Sequence, residues 1–312
     1  MLEIAIMVEG QNGLNWPRWQ QMAKAVEALG FAGLYRSDHY TNAKPPNLDS
    51  LELWVSLTWL ATNTQRIHFG SLVTPMSFRD PVMTARMASA VDDLSSGRLT
   101  LGLGAGWQER EHANYGWNLL SVRQRFRRFE EALQIITHLF HSAAPINFDG
   151  EFYHLHDAVL LPRPARPGGP PILIGGNGLQ LTLPLAAKYA SEWNATFQTP
   201  ENFRKLNAQL DELIEANGRR RSDVVRSTMT GCVFGRNQAE VEQKAQGRGQ
   251  TAEQLRDRGI LVGTGPEVAE QIKRLEEAGV QRIMLQWLEL DDLDGLGAMA
   301  REVLPQFKKP SP

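Results

Sequence analysis

Asp38 and His39 are adjacent ionisable residues that follow a short β-rich run at 32–37. An imidazole with an unperturbed pKa of about 6.5 exchanges protons readily at neutral pH, and a nearby carboxylate can orient it. The pair therefore predicts either general acid–base chemistry or hydrogen bonding to the edge of a bound ring. A histidine beside a carboxylate is also common as a structural pair, so the place of these residues in the fold must decide.

Two glycine-rich segments offer sites for a bound cofactor. The motif GGNG at 175–178 precedes a predicted helix, so its backbone N–H groups can bind a phosphate, unless the motif forms only a tight turn. The segment GLGAG at 102–106 is followed by Trp107, where a dinucleotide-binding motif has its last glycine, so we predict no Rossmann site. Glycines at the end of a strand instead allow a flat ring to approach the backbone closely.

The charged run QEREH at 108–112 holds further candidates. Glu109 and Glu111 come soon after a glycine-rich segment, and such a run is either a solvated surface or part of a site. His112 has no second histidine at metal-ligand spacing, so we predict no metal site. Cys232 is the single cysteine, and without an activating neighbour it is predicted to be a small core residue rather than a nucleophile.

The elements that carry these residues alternate between short β-rich runs and longer amphipathic segments. Each of the predicted strands is followed by a predicted helix. The strands cover 3–8, 32–37, 66–73, 99–103, 172–175, 193–197, 225–233 and 282–288. The helices cover 16–29, 49–62, 81–94, 121–140, a stretch that ends at 190, 200–216, 266–278 and 296–304.

Eight strand–helix units are the number that closes a (β/α)8 TIM barrel, which typically needs about 250 residues. We therefore predict an α/β fold, with a single barrel domain over 1–312 and irregular insertions at about 141–171 and 235–265. A doubly wound open sheet is the alternative. Catalytic groups of a barrel lie in the loops that follow its strands, which favours a functional role for Asp38 and His39.

Composition narrows the classes of function. Lys and Arg number 33 against 35 Asp and Glu, which leaves a formal charge of −2 and no basic excess for binding nucleic acid. The first residues, MLEIAIMVEG, lack the basic start of a signal peptide. No apolar run reaches the ~20 residues that span a bilayer. We predict no membrane association and a cytoplasmic location, which the single cysteine also fits.

Several motifs together resemble the luciferase-like monooxygenase superfamily of flavin- and deazaflavin-dependent enzymes. They occur in the family order and cover nearly the whole chain. The motifs are RSDHY (36–40), IHFGSLVTP (67–75), FRDPVMTARMASAVDDLSSGRLTLGLGAGWQEREHANYG (78–116), PPILIGGNG (170–178) and GTGPEVAEQIKRLEEAGVQRIMLQ (263–286). They look most like the branch that uses the deazaflavin coenzyme F420.

The resemblance implies positions for the cofactor and the catalytic groups. It implies a non-proline cis peptide between Ser71 and Leu72 that presses the backbone against the central ring. His39 and Glu109 are the catalytic residues that it implies. The cofactor-binding residues that it implies are Asp38, His39, Ser71, Leu72, Val73, Ala105, Gly106, Trp107, Gly175, Gly176 and Asn177. Some relatives carry an acidic proton donor where this chain has Trp107, which leaves the proton to His39, Glu109 or the substrate.

The implied function is that of an F420-dependent oxidoreductase, which transfers a hydride between the deazaflavin C5 and a small organic substrate. One alternative is an FMN-dependent monooxygenase, which takes reduced flavin from a partner flavin reductase and uses oxygen. Another alternative is a barrel that binds flavin without turnover. The resemblance also implies a homodimer.

Overall fold

Parallel strands close into a barrel in the computed structural model of the chain, which describes residues 2–307. In chain order the strands are β1 (Glu3–Val8), β2 (Gly33–Arg36), β3 (His68–Ser71), β4 (Thr74–Pro75), β5 (Leu99–Gly104), β6 (Ile146–Asp149), β7 (His154–Ala158), β8 (Ile172–Gly175), β9 (Glu192–Thr196), β10 (Val225–Phe234), β11 (Leu261–Gly263) and β12 (Arg282–Gln286). β1 pairs with β2 and β12, and β10 pairs with β9 and β12, so the ladder closes on itself. The predicted (β/α)8 TIM barrel is confirmed.

Helices cover the outside of the barrel. They are α1 (Trp16–Leu29), α2 (Leu53–Asn63), α3 (Pro81–Leu94), α4 (Glu109–Tyr115), α5 (Val122–His141), α6 (Thr182–Tyr189), α7 (Pro200–Ala216), α8 (Gln238–Gly247), α9 (Ala252–Asp257), α10 (Gly265–Glu277) and α11 (Leu293–Val303). Within residues 2–307, no helix combines the length and the apolar character needed to cross a bilayer. The main hydrophobic core lies between these helices and the outer face of the strands, where Trp19, Phe69 and Phe129 are fully buried.

Local signals explain several helix ends. α3 begins at Pro81, whose missing N–H costs nothing in the first turn, and the Asp80 carboxylate accepts from the Met83 N–H at 2.8 Å. α1 ends at Gly30, whose φ of 89° lies in the left-handed region that favours glycine. The predicted bounds of α3 and α7 agree with the structure, because an initiating proline marks the start of both helices.

The two predicted insertions contain regular structure. The first carries the antiparallel hairpin of β6 and β7, which lies between Pro145 and Pro162 and is itself free of proline. The second carries α8, α9 and β11, and β11 pairs with the carboxyl end of β10. The sequence also does not predict α4, because its 7 residues are too few to show a helical period.

An ion-pair cluster closes the barrel at the amino ends of its strands. Arg282, the first residue of β12, contacts Glu3 at 2.6 Å and Glu192 at 2.5 Å. Burial raises the pKa of Glu192, and the charge of Arg282 opposes that rise. The interior above this cluster is filled by Ala5, Met7, Tyr35, Leu72, Leu173, Met229 and Met284. Space for a ligand is therefore left towards the carboxyl ends of the strands.

Replacing Arg282 by Met should destabilise the fold strongly, because Glu192 would stay buried without its partner charge. Breaking a buried pair from one side costs about 3–5 kcal/mol, and urea unfolding should measure a loss of that size. The matched control is Arg274→Met, which removes an exposed pair with Glu270 and should cost less than about 1 kcal/mol. Equal losses in the two variants would contradict the role of the cluster.

Candidate active site

A cavity of about 390 Å³ opens at the carboxyl ends of the barrel strands. This is the end at which (β/α)8 barrels carry their catalytic groups. The cavity is lined by Met7, Glu9, Gln11, Ser37, His39, Leu72, Val73, Pro75, Gly106, Trp107, Gly175, Gly176, Asn194, Thr196, Phe197 and Met229. A mainly apolar lining with a few convergent polar groups is typical of a site for a small molecule or cofactor.

His39 is the proton-transfer candidate on the wall of this cavity. It lies in the loop after β2, and its Nδ1 is 3.0 Å from Oε2 of Glu111, a fully buried residue of α4. The other carboxylate oxygen of Glu111 accepts from the N–H of Tyr40 and, at 3.3 Å, from the N–H of Thr41. The His39 imidazole and these two N–H groups satisfy the buried carboxylate. Because the two N–H groups hold the carboxylate in place, its contact with Nδ1 fixes the orientation of the imidazole.

The pKa of His39 follows from this setting. Burial disfavours the imidazolium, but the hydrogen bond to Glu111 and the charge of Glu111 outweigh burial, so the pKa of His39 lies above its ordinary value. Because Nδ1 faces Glu111, Nε2 is the ring nitrogen that can serve a bound molecule. This nitrogen can accept or donate a proton at neutral pH.

Gln108 joins the start of α4 to the loop after β2. Its Nε2 donates to the Thr41 carbonyl at 2.9 Å, and Thr41 Oγ1 donates to its Oε1 at 3.0 Å. Glu109, a predicted catalytic residue, is exposed and does not line the cavity. Residues two positions apart on a helix do not share a face, so the burial of Glu111 turns Glu109 elsewhere. The structure therefore places Glu111, rather than Glu109, beside His39.

Asp38 binds Arg79 and does not line the cavity. It is buried, and Arg79 binds both of its oxygens at 2.7 and 3.0 Å. Arg79 also contacts Glu52 at 2.8 Å. These contacts join the loop after β2 to the start of α3 and to the start of α2. Of the adjacent pair in the sequence, only His39 reaches the cavity.

The cis peptide lies between Leu72 and Val73, which corrects the prediction of Ser71 and Leu72. The pairing of β3 with β2 ends at Ser71, and the Leu72 N–H donates to the Arg36 carbonyl at 2.7 Å. Ser71 faces β5, where its Oγ donates to the Gly102 carbonyl at 2.8 Å. Leu72 and Val73 both line the cavity.

Gly102 and Gly104 of β5 make room for the protein's own chain, whereas Gly106, the last glycine of the segment, lines the cavity. A Cβ on Gly102 would collide with the Ser71 carbonyl oxygen, and a Cβ on Gly104 would lie 2.7 Å from a methyl group of Val73. A side chain at either position would therefore displace the segment that forms this wall of the cavity.

The predicted phosphate loop follows β8. The Gly176 N–H donates to the Asn194 carbonyl at 2.9 Å and is therefore not free to bind an anion. Asn177 Oδ1 accepts from the Thr196 N–H at 2.9 Å. Within the part of the chain that the structure describes, the N–H groups of residues 177–181 have no protein acceptor, and they lead into α6. An anion site at this place would thus use the N–H groups of Asn177 and Gly178 from the predicted motif and of the residues that follow, but not that of Gly176.

The predicted cofactor-binding residues divide into two groups. Those that line the cavity are His39, Leu72, Val73, Gly106, Trp107, Gly175 and Gly176, whereas Asp38, Ser71, Ala105 and Asn177 do not. Glu9 and Gln11 line the cavity but are not predicted from the sequence. The signal was available, because Glu9 directly follows the first strand, and position after a strand is the rule that marks His39.

These features place the chain in the class of (β/α)8-barrel proteins with a cavity at the carboxyl ends of the strands. Within that class it belongs to the luciferase-like monooxygenase family, whose model matches residues 3–258. The resemblance seen in the motifs is thereby confirmed.

Two relatives and one solved structure are similar to this chain. An F420-dependent glucose-6-phosphate dehydrogenase of Kineococcus radiotolerans is 32% identical over 158 residues, which are 50% of this chain and 46% of that relative, so the match spans about half of its length. A 4-hydroxyprotoasukamycin monooxygenase of Streptomyces nodosus subsp. asukaensis is 25% identical over 339 residues, 95% of this chain and 88% of the relative. A solved F420-dependent secondary alcohol dehydrogenase, in complex with an F420-acetone adduct, has a TM-score of 0.86 at 18% identity over 98% of this chain and 99% of that chain. At this identity the last comparison shows the fold alone.

Glu111→Gln should lower the pKa of His39, because it removes the charge that raises this pKa and keeps the size of the side chain. In the wild type the folded-state pKa of His39 exceeds its unfolded value of about 6.5. The pair therefore stabilises the fold fully below the unfolded pKa, and this contribution is lost as pH rises through the folded pKa.

Histidine NMR titration and urea unfolding between about pH 5 and about pH 8 measure both effects. The stability difference between wild type and Glu111→Gln should be largest at the acidic end and should shrink as pH rises. Glu109→Gln is the control on the same helix and should leave the pKa of His39 in place. An unchanged pKa in Glu111→Gln would refute the assigned pairing.

Proposed function

We propose that the protein is an F420-dependent oxidoreductase that transfers a hydride between the deazaflavin C5 and a small organic substrate. The observation that carries the proposal is a cavity that has the oriented imidazole of His39 on its wall and unpartnered N–H groups at 177–181 directly beyond its lining. The relative named for F420 supports the cofactor. From the family resemblance we also propose a cytoplasmic homodimer.

The inside of the cavity fits a ring that carries an N–H group. Asn194 is fully buried and lines the cavity, and its Oδ1 has no partner among residues 2–307. Its Nδ2 donates to Ser227 Oγ at 2.9 Å, and Ser227 donates to the Trp193 carbonyl at 3.2 Å, which fixes the orientation of the amide. An unsatisfied buried oxygen is costly, and the imide N–H of a deazaflavin or flavin is a suitable donor.

The chain's own groups position the substrate and move the proton. When bound, the deazaflavin donates or accepts the hydride at C5. Nε2 of His39 accepts the proton of a substrate hydroxyl, or returns a proton to a carbonyl oxygen, while Glu111 holds Nδ1. The Trp107 ring packs edge-on against His39 with 5.7 Å between ring centroids, and it restricts access of water to the imidazole. The exposed Glu109 has no part in this scheme.

An FMN-dependent monooxygenase is the second candidate, and the match to the Streptomyces nodosus monooxygenase over 95% of this chain favours it. FMN carries the same imide and a phosphate, so the cavity suits it as well. Such an enzyme would receive reduced flavin from a partner reductase. A barrel that binds flavin without turnover has less support, because a buried carboxylate that orients a histidine serves proton transfer and is costly to bury.

Separate titrations with F420 and FMN distinguish the candidates. F420 should bind, with quenching of its fluorescence, and FMN should bind at least about tenfold more weakly, a difference of about 1.4 kcal/mol. Tight binding of FMN without a response to F420 would contradict the F420-dependent oxidoreductase and support the FMN-dependent monooxygenase. Binding of neither would contradict both redox candidates.

His39→Ala should reduce turnover by about 10²–10⁴-fold, because the proton loses its acceptor, and should leave the affinity for F420 nearly unchanged. The rate is followed by the absorbance of F420 with an alcohol found by screening. His138→Ala, at an exposed histidine of α5, is the control and should keep the wild-type rate. Unchanged turnover in His39→Ala would remove this residue from the mechanism.

A further inference from the structure

The charges around the cavity limit what it can accept as a substrate. Within residues 2–307, the lining carries one carboxylate, Glu9, and one imidazole, His39, but no lysine or arginine. Proteins usually bind a phosphate or carboxylate group with such cations or with free backbone N–H groups. The N–H groups at 177–181 follow the lining residue Gly176, and a bound cofactor would use them for its phosphate.

Three arginines of the surrounding loops are already engaged, and Lys44, in the loop after β2, is exposed and does not line the cavity. Arg79 is held by two carboxylates, one of them buried. Arg248 pairs with Glu289 at 3.0 Å, and Arg110 donates to the Asn42 carbonyl at 2.8 Å. Swinging Arg79 into the cavity would leave a buried carboxylate without its partner, which is strongly unfavourable. These side chains are therefore poor candidates for binding an anionic substrate.

Glu9 is held firmly at the cavity wall. Its Oε1 accepts from Gln286 Nε2 at 2.7 Å, and its Oε2 accepts from Gln11 Nε2 at 3.0 Å. Gln11 is fixed in turn, because its Oε1 accepts from Ser37 Oγ at 2.8 Å. Both hydrogen-bond partners of Glu9 are uncharged amides, so these contacts hold the carboxylate in place without neutralising it. The charge of Glu9 also helps to raise the pKa of His39, which among the described residues is the one group of the lining that can offset this charge. An anion in the cavity would meet a fixed like charge.

We propose that the cavity selects uncharged alcohols or ketones with an apolar body, and that Glu9 is the residue that excludes anionic substrates such as sugar phosphates. The inference rests on the proposed function, which supplies the redox chemistry. Trp107 and Phe197 line the cavity and are 59% and 38% exposed, so they offer apolar surface at its mouth to the substrate body. The chain thus differs in substrate class from its relative named for glucose 6-phosphate.

Oxidation of such a substrate removes a hydride and a proton, which go to different acceptors. The alcohol carbon gives a hydride to oxidised F420, and the hydroxyl gives its proton to Nε2 of His39. The alcohol loses two electrons and two hydrogens and becomes a ketone, while F420 is reduced by the same two electrons. The reverse reaction takes the hydride from reduced F420 and the proton from His39.

The test compares two ligands that share one apolar ring, cyclohexanol and cyclohexanecarboxylate, by calorimetric titration of the F420-saturated protein at about pH 7. The wild type should bind the alcohol at least about tenfold more tightly than the carboxylate. Glu9→Gln keeps the shape of the side chain and removes its charge, so it should reduce this ratio at least about threefold by strengthening the binding of the carboxylate. Glucose 6-phosphate should give neither heat nor reduction of F420.

Glu276→Gln is the matched control, because Glu276 is exposed near the end of α10, at the amino ends of the strands, and should leave the ratio unchanged. Thermal melting checks that the variants are folded, and Glu9→Ala replaces Glu9→Gln if the latter is not. Equal or tighter binding of the carboxylate, no binding of the alcohol, an unchanged ratio in the Glu9 variant, or reduction of F420 by glucose 6-phosphate would each overturn the proposal. Failure to bind F420 at all would instead overturn the proposed function, and the same ligand pair titrated into the cofactor-free protein would still test the selection by Glu9.

Discussion

The buried carboxylate of Glu111 is the interaction on which the arrangement of the site depends. It joins one side chain of α4 to the imidazole of His39 and to the backbone of Tyr40 and Thr41. A carboxylate that has lost its water must find donors elsewhere, and the loop after β2 supplies them. The helix and the loop therefore hold each other, and the imidazole meets the cavity in one orientation.

At the break between β3 and β4, the structure depends on close packing rather than on a buried charge. Val73 fits against β5 because Gly104 has no side chain, and Ser71 approaches Gly102 for the same reason. The shape of the cavity wall thus depends on the lack of a side chain at Gly102 and Gly104 as well as on the residues that line the cavity. A glycine in a sequence shows that something approaches the backbone closely, but it does not show whether that is a ligand or another strand.

Two parts of the site differ in their electrostatic character. Backbone N–H groups at 177–181 suit an anion outside the barrel interior, whereas the wall near Glu9 carries a negative charge with amide partners. The loops after the strands build both features, and the barrel that supports them is shared by enzymes with different substrates. Family membership therefore defines the scaffold, and the loops after the strands supply the charges that distinguish this cavity.

The sequence by itself determined the barrel, because alternating strands and helices, initiating prolines and caps are signals that act over a few neighbouring residues. Helices beginning at Pro81 and Pro200 were predictable to the residue, and the loops that carry the site followed from their positions after strands. Only the tertiary structure decided which residues of those loops reach the cavity, and it placed Glu111 rather than Glu109 beside His39. The physical reason is that this contact joins residues 72 positions apart, so it depends on how a loop and a helix pack together and leaves no trace in the local pattern of either.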